Sequence, residues 1–310
     1  MLQHVRPIRP APAPSIRPWA GTRLGGAGAQ VGELWLAGPD SLVATDSGDR
    51  TLDSLAAELR EALVGSRGMA LLGPRFPLLA KLIDASDWLS LQVHPDDALA
   101  LDLYGPGAVG KTEAWLVIEA DPTGQLVTGP ADDVPEEALR DAIAAGTASH
   151  RHCHRRPAIP GETLLIRAGT LHAIGPGTFV YEIEQPSDLT FRISDWGRPT
   201  GRTLHVAEAL RALRPALHAE PAGSGFRLDG GSLEVPEFRL ELPDLTSPVQ
   251  RHPGGHSCEI VTAIAGTLQV AAVGWSETLA PYETLVVPAA VDAYEIAGPA
   301  DGIACVGSLA

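Results

Sequence analysis

The run GETLLIRAGTLHAI at residues 161–174 decides how the fold of this chain is read. Thr163 to Ile166 is a short apolar stretch, Gly169 sits in the turn that follows, and a second short stretch holds Leu171, Ala173 and Ile174. That is the punctuation of two strands joined by a tight turn. The run has a partner, YETLVVPAAVDAYEI, at residues 282–296. Glu162 aligns with Glu283, an offset of 121 residues that also sets Thr163 against Thr284, Leu164 against Leu285, Arg167 against Pro288 and His172 against Ala293. An internal repeat of this kind predicts two similar β-barrels, the first with a functional histidine and the second without it.

Composition points the same way. The chain has 310 residues, and at roughly 150 residues per domain this allows one large or two ordinary domains. Hydrophobic residues make up 45% and charged residues 20%, which excludes a disordered or membrane-embedded chain. With 33 Gly and 27 Pro the chain favours many short elements and tight turns, an all-β tendency. The net charge of −15 argues against nucleic acid or an anionic membrane as main partner, while leaving room for a local basic pocket that takes a phosphorylated metabolite. Three well-separated cysteines (Cys153, Cys258, Cys305) without CxxC spacing suit a reducing, cytoplasmic compartment. No apolar run approaches the length of about 18 residues that a spanning helix needs. The Pro-rich start, residues 1–19, reads as an extended, partly ordered arm rather than a targeting segment.

Helices are expected at three places. Residues 51–63 space Leu52, Leu55, Leu59 and Leu63 helically. Residues 132–145 offer Asp132 and Asp133 as caps, Pro135 in the first turn and Gly146 as the stop. Residues 204–213 end before Pro215. Most other segments read as strands of five to nine residues: LWLAG, LSLQVH, EAWLVIEA, ETLLIRA, TFVYEIE, LTFRIS, EFRLELP, CEIVTAIAG, TLQVAAV and ETLVVPA.

Four residues stand out chemically. Gln92 and His94 are two apart on one strand and leave the same face, a costly pair inside a barrel unless something satisfies it. The alternative is a strand end turning into solvent at Pro95-Asp96-Asp97. Glu113 opens an apolar strand with Lys111 two residues earlier on its face, which alone reads equally as a solvated strand start. His172 follows the Gly169 turn, which can swing it into a barrel mouth, although a lone histidine there is often structural. Together the four offer one amide oxygen, two imidazoles and one carboxylate. That mixture suits Zn²⁺ and related divalent ions better than Mg²⁺ or Ca²⁺. The ion would keep a net charge of about +1 and so remain electrophilic. His150, His152 and His154 alternate beside Arg151, Arg155 and Arg156 and read as a polar surface loop rather than a second site. His252 and His256 have no complementary ligands.

The run at 161–172 resembles the second sequence motif of the cupin barrels, with Arg167 where a proline is usual. Nearly the whole chain is similar to the type I mannose-6-phosphate isomerase family, in its shorter bacterial form. The similarity runs through PWAGTRLG (18–25), VGELWLAG (31–38), FPLLAKLIDASDWLSLQVHPDD (76–97), GKTEAWLVIEA (110–120), AGTLHAIGPG (168–177) and EIEQPSDLTFRISDW (182–196), and weakens beyond about residue 215. It implies that Gln92, His94, Glu113 and His172 are zinc ligands, one Zn²⁺ per chain, the same four chosen on chemical grounds. It marks Arg192 as an active-site arginine, Glu182 as a proton-transfer glutamate and Lys111 as a pocket lysine binding substrate. Ala114 and Leu116 depart from the bulkier or sulfur-bearing residues of the family beside the glutamate.

The resemblance implies a mostly β protein of two cupin (jelly-roll) barrels with a small helical component. Residues 1–203 would form the catalytic domain with helical insertions, and 204–310 a degenerate domain without a metal site. The implied reaction interconverts mannose 6-phosphate and fructose 6-phosphate through a cis-enediol(ate). The substrate is a phosphorylated hexose, with no nucleic acid, membrane or obligate protein partner. Glu182 would move the proton, Arg192 would hold substrate oxygens, and Lys111 would bind the phosphate or a sugar oxygen. Alternatives are an isomerase of another phosphosugar, a metal-dependent dioxygenase, and a non-catalytic metal- or sugar-binding cupin. Glu113 and Gln92 in place of further histidines weigh against the dioxygenase.

Overall fold

Both copies of the repeated run form a buried four-residue strand, Thr163–Ile166 and Thr284–Val287, at the offset read from the sequence. They are seen in a computed structural model that describes residues 6–25, 29–199 and 201–310. Residues 1–5 of the expected arm lie outside the described residues. Strands dominate, with five α-helices among the described residues, so the chain is mostly β.

The two strands belong to different compact units. One unit comprises Pro14–Leu34 and Ile83–Gly225, the other Met1–Ala13, Trp35–Leu82 and Phe226–Ala310. This division does not fall at the expected 203/204 boundary. The helix Val206–Ala212 packs on the strand Phe191–Ser194 and on the helix Glu136–Ala144. The strand Glu220–Ser224 then pairs with Thr163–Ile166. Residues 204–225 therefore stay with the site-bearing unit.

In that unit, antiparallel strands run in the order Thr178–Glu184, Glu113–Ala120, Thr163–Ile166, Glu220–Ser224. A three-stranded sheet joins Ala173–Ile174, Gln125–Pro130 and Cys153–Pro157, and a two-stranded one joins Phe191–Ser194 to Leu91–Val93. Alternation explains the packing, because successive side chains leave opposite faces. Leu91, Val93, Phe191 and Ile193 enter one apolar cluster with Leu139 and Ile143 of the helix Glu136–Ala144. Trp115, Val117, Leu164, Ile166 and Val180 build a second with Trp19 and Ile83.

In the other unit, the five strands Ser232–Val235, Phe238–Glu241, Ile303–Ser308, Glu259–Ala265 and Thr284–Val287 form one sheet. The four strands Val249–Arg251, Tyr294–Ala297, Leu268–Ala272 and Trp275–Leu279 form another. Val261, Leu268, Leu285, Tyr294 and Val306 lie in their shared core. The Pro-rich arm is extended here, with Ile8 and Val286 exchanging backbone hydrogen bonds of 2.8 Å.

Several expected elements shift. The helix expected over 51–63 is two helices, Leu52–Leu59 and Glu61–Leu72, broken at Arg60, whose φ is 51°. The next helix starts at Glu136 rather than at Asp132, because Pro135 is extended and no side chain caps it. Among the elements that were not expected are one helix and one strand beside the site. Asp96 and Asp97 are exposed, as a strand end turning into solvent would be, but they open a helix: Asp96 accepts from Leu99 N and caps Asp97–Tyr104. Leu79–Ala85 is a fully buried strand whose Lys81 and Asp84 disguise it. Asp84 is satisfied by Arg23, through both the backbone N–H and the guanidinium, at 2.6 and 2.7 Å.

Candidate metal centre

Gln92 lies directly opposite His172, each donating its backbone N–H to the other's carbonyl at 3.1 and 3.0 Å. On its other side Gln92 is in register with Arg192. His172, Gln92 and Arg192 thus form a row across neighbouring backbones, with side chains on one face. His94 is two residues beyond Gln92, and its carbonyl accepts from Gly169 N at 2.9 Å. Gly169 has φ +90°, and an added Cβ would meet Arg214 Cγ at 2.6 Å and Ala212 O at 2.9 Å. The turn that aims His172 therefore requires glycine.

The two imidazoles are oriented from behind. His94 Nδ1 lies 2.8 Å from Leu189 O and His172 Nδ1 lies 2.9 Å from Thr170 O. A carbonyl can only accept, so each Nδ1 carries the proton and each Nε2 presents its lone pair. Those Nε2 atoms face Glu113: His94 Nε2 is 3.3 Å from Oε2 and His172 Nε2 is 3.5 Å from Oε1. All three side chains are buried, and Glu113 Oε1 has no hydrogen-bond partner among the described residues. Burial, then the Lys111 charge, pushes His94 down to about 4, and burial lowers His172 as well. Burial alone would raise the Glu113 carboxyl, but Lys111 and then His94 hold it well below its ordinary range. At neutral pH the site is two neutral imidazoles and a carboxylate. Gln92 completes the set, with its Nε2 3.1 Å from His172 Nε2 and its Oε1 accepting from Ser90 Oγ at 3.1 Å. The expected four residues do come together.

Glu113 is also the edge of a second cluster. In the antiparallel register Glu184 faces Glu113 and Glu182 faces Trp115. Glu113, Glu182 and Glu184 converge within one site, and Lys111 stands among them. The Lys111 ammonium touches Glu113 Oε2 and lies 2.5 Å from Glu184 Oε2 and 3.7 Å from Glu182 Oε1. Trp115 Nε1 donates to Glu182 Oε2 at 2.8 Å. With three carboxylates and one ammonium, the cluster carries a formal charge of −2, which one divalent cation would balance. Glu184 and Trp115 were missed in the sequence. Their signal was the two-residue spacing from Glu182 and Glu113 on buried strands.

Arg192 leads into a basic region. It donates to Thr203 O at 2.7 Å, while Arg198 and Arg202 both donate to Asp195 at 2.6 and 3.1 Å. Burial, then Arg202, lowers the Arg192 pKa. Arg198 and Arg202 were not singled out in the sequence.

The histidine segment is not a solvated loop. His150 stacks on Trp196 with ring centroids 4.0 Å apart, His152 is buried beside Ser149, and His154 bonds Thr128 Oγ1 at 2.9 Å. These are packing roles. In the other unit the register places Glu259 opposite Val287, as Glu113 lies opposite Ile166. Among the described residues no imidazole is bonded to Glu259. Arg251 and the Tyr294 hydroxyl each donate to it at 2.5 Å, and Arg251 also reaches Glu241 at 2.6 Å. A guanidinium stands where a cation would be needed.

Residues 26–107 match the family described as phosphomannose isomerase type I, catalytic domain. Over 178 residues the chain is 41% identical to a mannose-6-phosphate isomerase of Streptococcus mutans, covering 55% of this chain and 53% of that relative. The matched stretch thus spans about half the length of that protein. The fold is similar to that of the mannose 6-phosphate isomerase from Bacillus subtilis, with a TM-score of 0.79, 25% identity, and 97% and 99% of the two chains covered. It is also similar to a zinc-bound mannose 6-phosphate isomerase, with a TM-score of 0.73 and 16% identity over 97% and 98% of the two chains. The chain is thus similar to type I phosphomannose isomerases, in sequence over part of its length and in fold over nearly all of it.

Proposed function

We propose that this protein interconverts mannose 6-phosphate and fructose 6-phosphate, with one Zn²⁺ held by Gln92, His94, Glu113 and His172. The observation that carries the reading is the pair of buried Nε2 lone pairs aimed at Glu113, whose Oε1 lacks a hydrogen-bond donor among the described residues. Two neutral imidazoles, a carboxylate and an amide fit zinc well. Gln92 would join by turning its amide so that Oε1 faces inward and Nε2 faces Ser90 Oγ, an exchange that Ser90 accommodates as donor or acceptor. A divalent cation there supplies Lewis-acid stabilisation for negative charge developing on the O1/O2 edge of the sugar.

The remaining chemistry belongs to the chain. Glu182 is the base that takes the C2 proton of the aldose and returns it to C1, passing through the cis-enediolate. Its Oε2 accepts from the Trp115 N–H at 2.8 Å, which holds the carboxylate in place. Lys111 is 3% exposed and enclosed by Glu113, Glu182 and Glu184, so it suits a sugar oxygen at the reacting edge rather than the phosphate. The phosphate falls to the Arg192 side, where Arg198 and Arg202 add positive charge and a planar guanidinium can bind two oxygens at once. The other unit, with Arg251 on Glu259, is a degenerate cupin partner without a metal. Three free cysteines suit work in the cytoplasm, and no helix among the described residues is long and apolar enough to cross a membrane.

The test is metal analysis and a mannose 6-phosphate turnover assay on one preparation, before and after chelation. About one zinc per chain, with turnover lost on chelation and restored by zinc, is the expected result. Full turnover in metal-free protein would overturn the reading, and preference for a different phosphosugar would redirect it.

A further inference from the structure

Glu184 has no part in the chemistry above, yet it is fully buried and shares the Lys111 ammonium with Glu113. Resting on the metal reading, we infer that Glu184 is a positioning residue, which sets the site's affinity for its divalent cation by drawing Lys111 away from Glu113. The ammonium touches Glu113 Oε2 and lies 3.4 Å from His94 Nε2. It therefore competes for the carboxylate oxygen and stands beside the imidazole nitrogen that a metal ion would use. In a buried site an ammonium cannot be displaced from one carboxylate without another to receive it. Glu184 Oε2, 2.5 Å from Nζ and opposite Glu113 across the register, is that receiver. Glu182 is less suited, since its Oε1 is 3.7 Å from Nζ and its Oε2 accepts from Trp115. With Lys111 on Glu184, Glu113 is released to the metal. Groups that act on a ligand from behind in this way typically change metal affinity by about 10- to 100-fold.

The experiment is a chelator-competition titration of Zn²⁺ on the full chain, with cooperative melting as the check on folding. The variants are Glu184→Gln, Lys111→Met and the double variant. Glu184→Gln should weaken zinc binding by about 10- to 100-fold. Lys111→Met, with the competitor gone, should bind zinc at least as tightly as the parent chain. The double variant should match Lys111→Met, since Glu184 then has no ammonium to hold. Zinc affinity of Glu184→Gln within about twofold of the parent overturns the inference, as does a loss that persists undiminished in the Lys111→Met background, which would mean Glu184 acts by its own charge. If Glu184→Gln does not melt cooperatively, Glu184→Asp takes its place: zinc binding should weaken with Lys111 present and be unchanged with Lys111→Met. A parent chain that binds no zinc would instead defeat the metal reading on which this rests, a result distinct from either of the others.

Discussion

On the proposed zinc reading, some side chains hold the cation and others act beside it, and the two groups should separate experimentally. Replacing Glu113 or His172 by Ala removes a buried ligand and should abolish both bound zinc and turnover, read by metal analysis and the coupled isomerase assay. Arg192→Ala should retain zinc and lose most activity. Normal isomerisation by that variant would remove Arg192 from the site's chemistry. Glu182→Gln keeps an acceptor for the Trp115 N–H but cannot take a proton. It should lower kcat by roughly 10²- to 10⁴-fold with zinc content unchanged. Gln92, His94, Glu113 and His172 were legible in the sequence only as a set, because each alone fits a solvated or structural role and the four together make a ligand mixture. Glu184 and the arginines near Arg192 were not. Their meaning depends on what lies across the sheet or around the loop, and neither distance can be read along the chain.

At the scale of elements, the site depends on how short strands are turned and paired. Gly169 places His172 opposite Gln92, and its φ of +90° is one that a side chain strains to adopt. Gly169→Ala should therefore cost about 1–3 kcal/mol in folding stability and also reduce zinc content, because His172 shifts with the turn. A melt and a metal assay on the same sample check both. The ten strands read from short runs rich in apolar residues are all present, several of them as continuously buried strands. The helix Asp97–Tyr104 and the strand Leu79–Ala85 escaped that reading for different reasons. In the first, Asp96 is both exposed and a helix cap, and an exposed aspartate after a proline looks the same in the sequence whether a turn or a helix follows. In the second, Lys81 and Asp84 break the apolar pattern, and only partners remote in sequence, such as Arg23 for Asp84, make their burial tolerable.

For the whole molecule, two compact units keep the repeated strand but use it differently. In one, Glu113 meets two imidazoles; in the other, the equivalent Glu259 meets Arg251 and Tyr294. Arg251→Met would leave Glu259 buried without its cation and should destabilise the protein by about 3–5 kcal/mol, visible as a lowered melting temperature. The proposed zinc site should also show as stability. Zinc at about a hundred times its dissociation constant would stabilise the folded state by about 2.7 kcal/mol, so chelation should lower the melting temperature and zinc should restore it. The sequence by itself determined the β class, the repeat and the residues able to bind a divalent ion, because burial and ligand chemistry are properties of residue type and local spacing. Only the tertiary structure decided where the units divide, that Lys111 is held among three glutamates, and that an arginine occupies the second unit's carboxylate. Charge balance in a buried site is a sum over residues remote in sequence, and the fold alone brings its members within reach of one another.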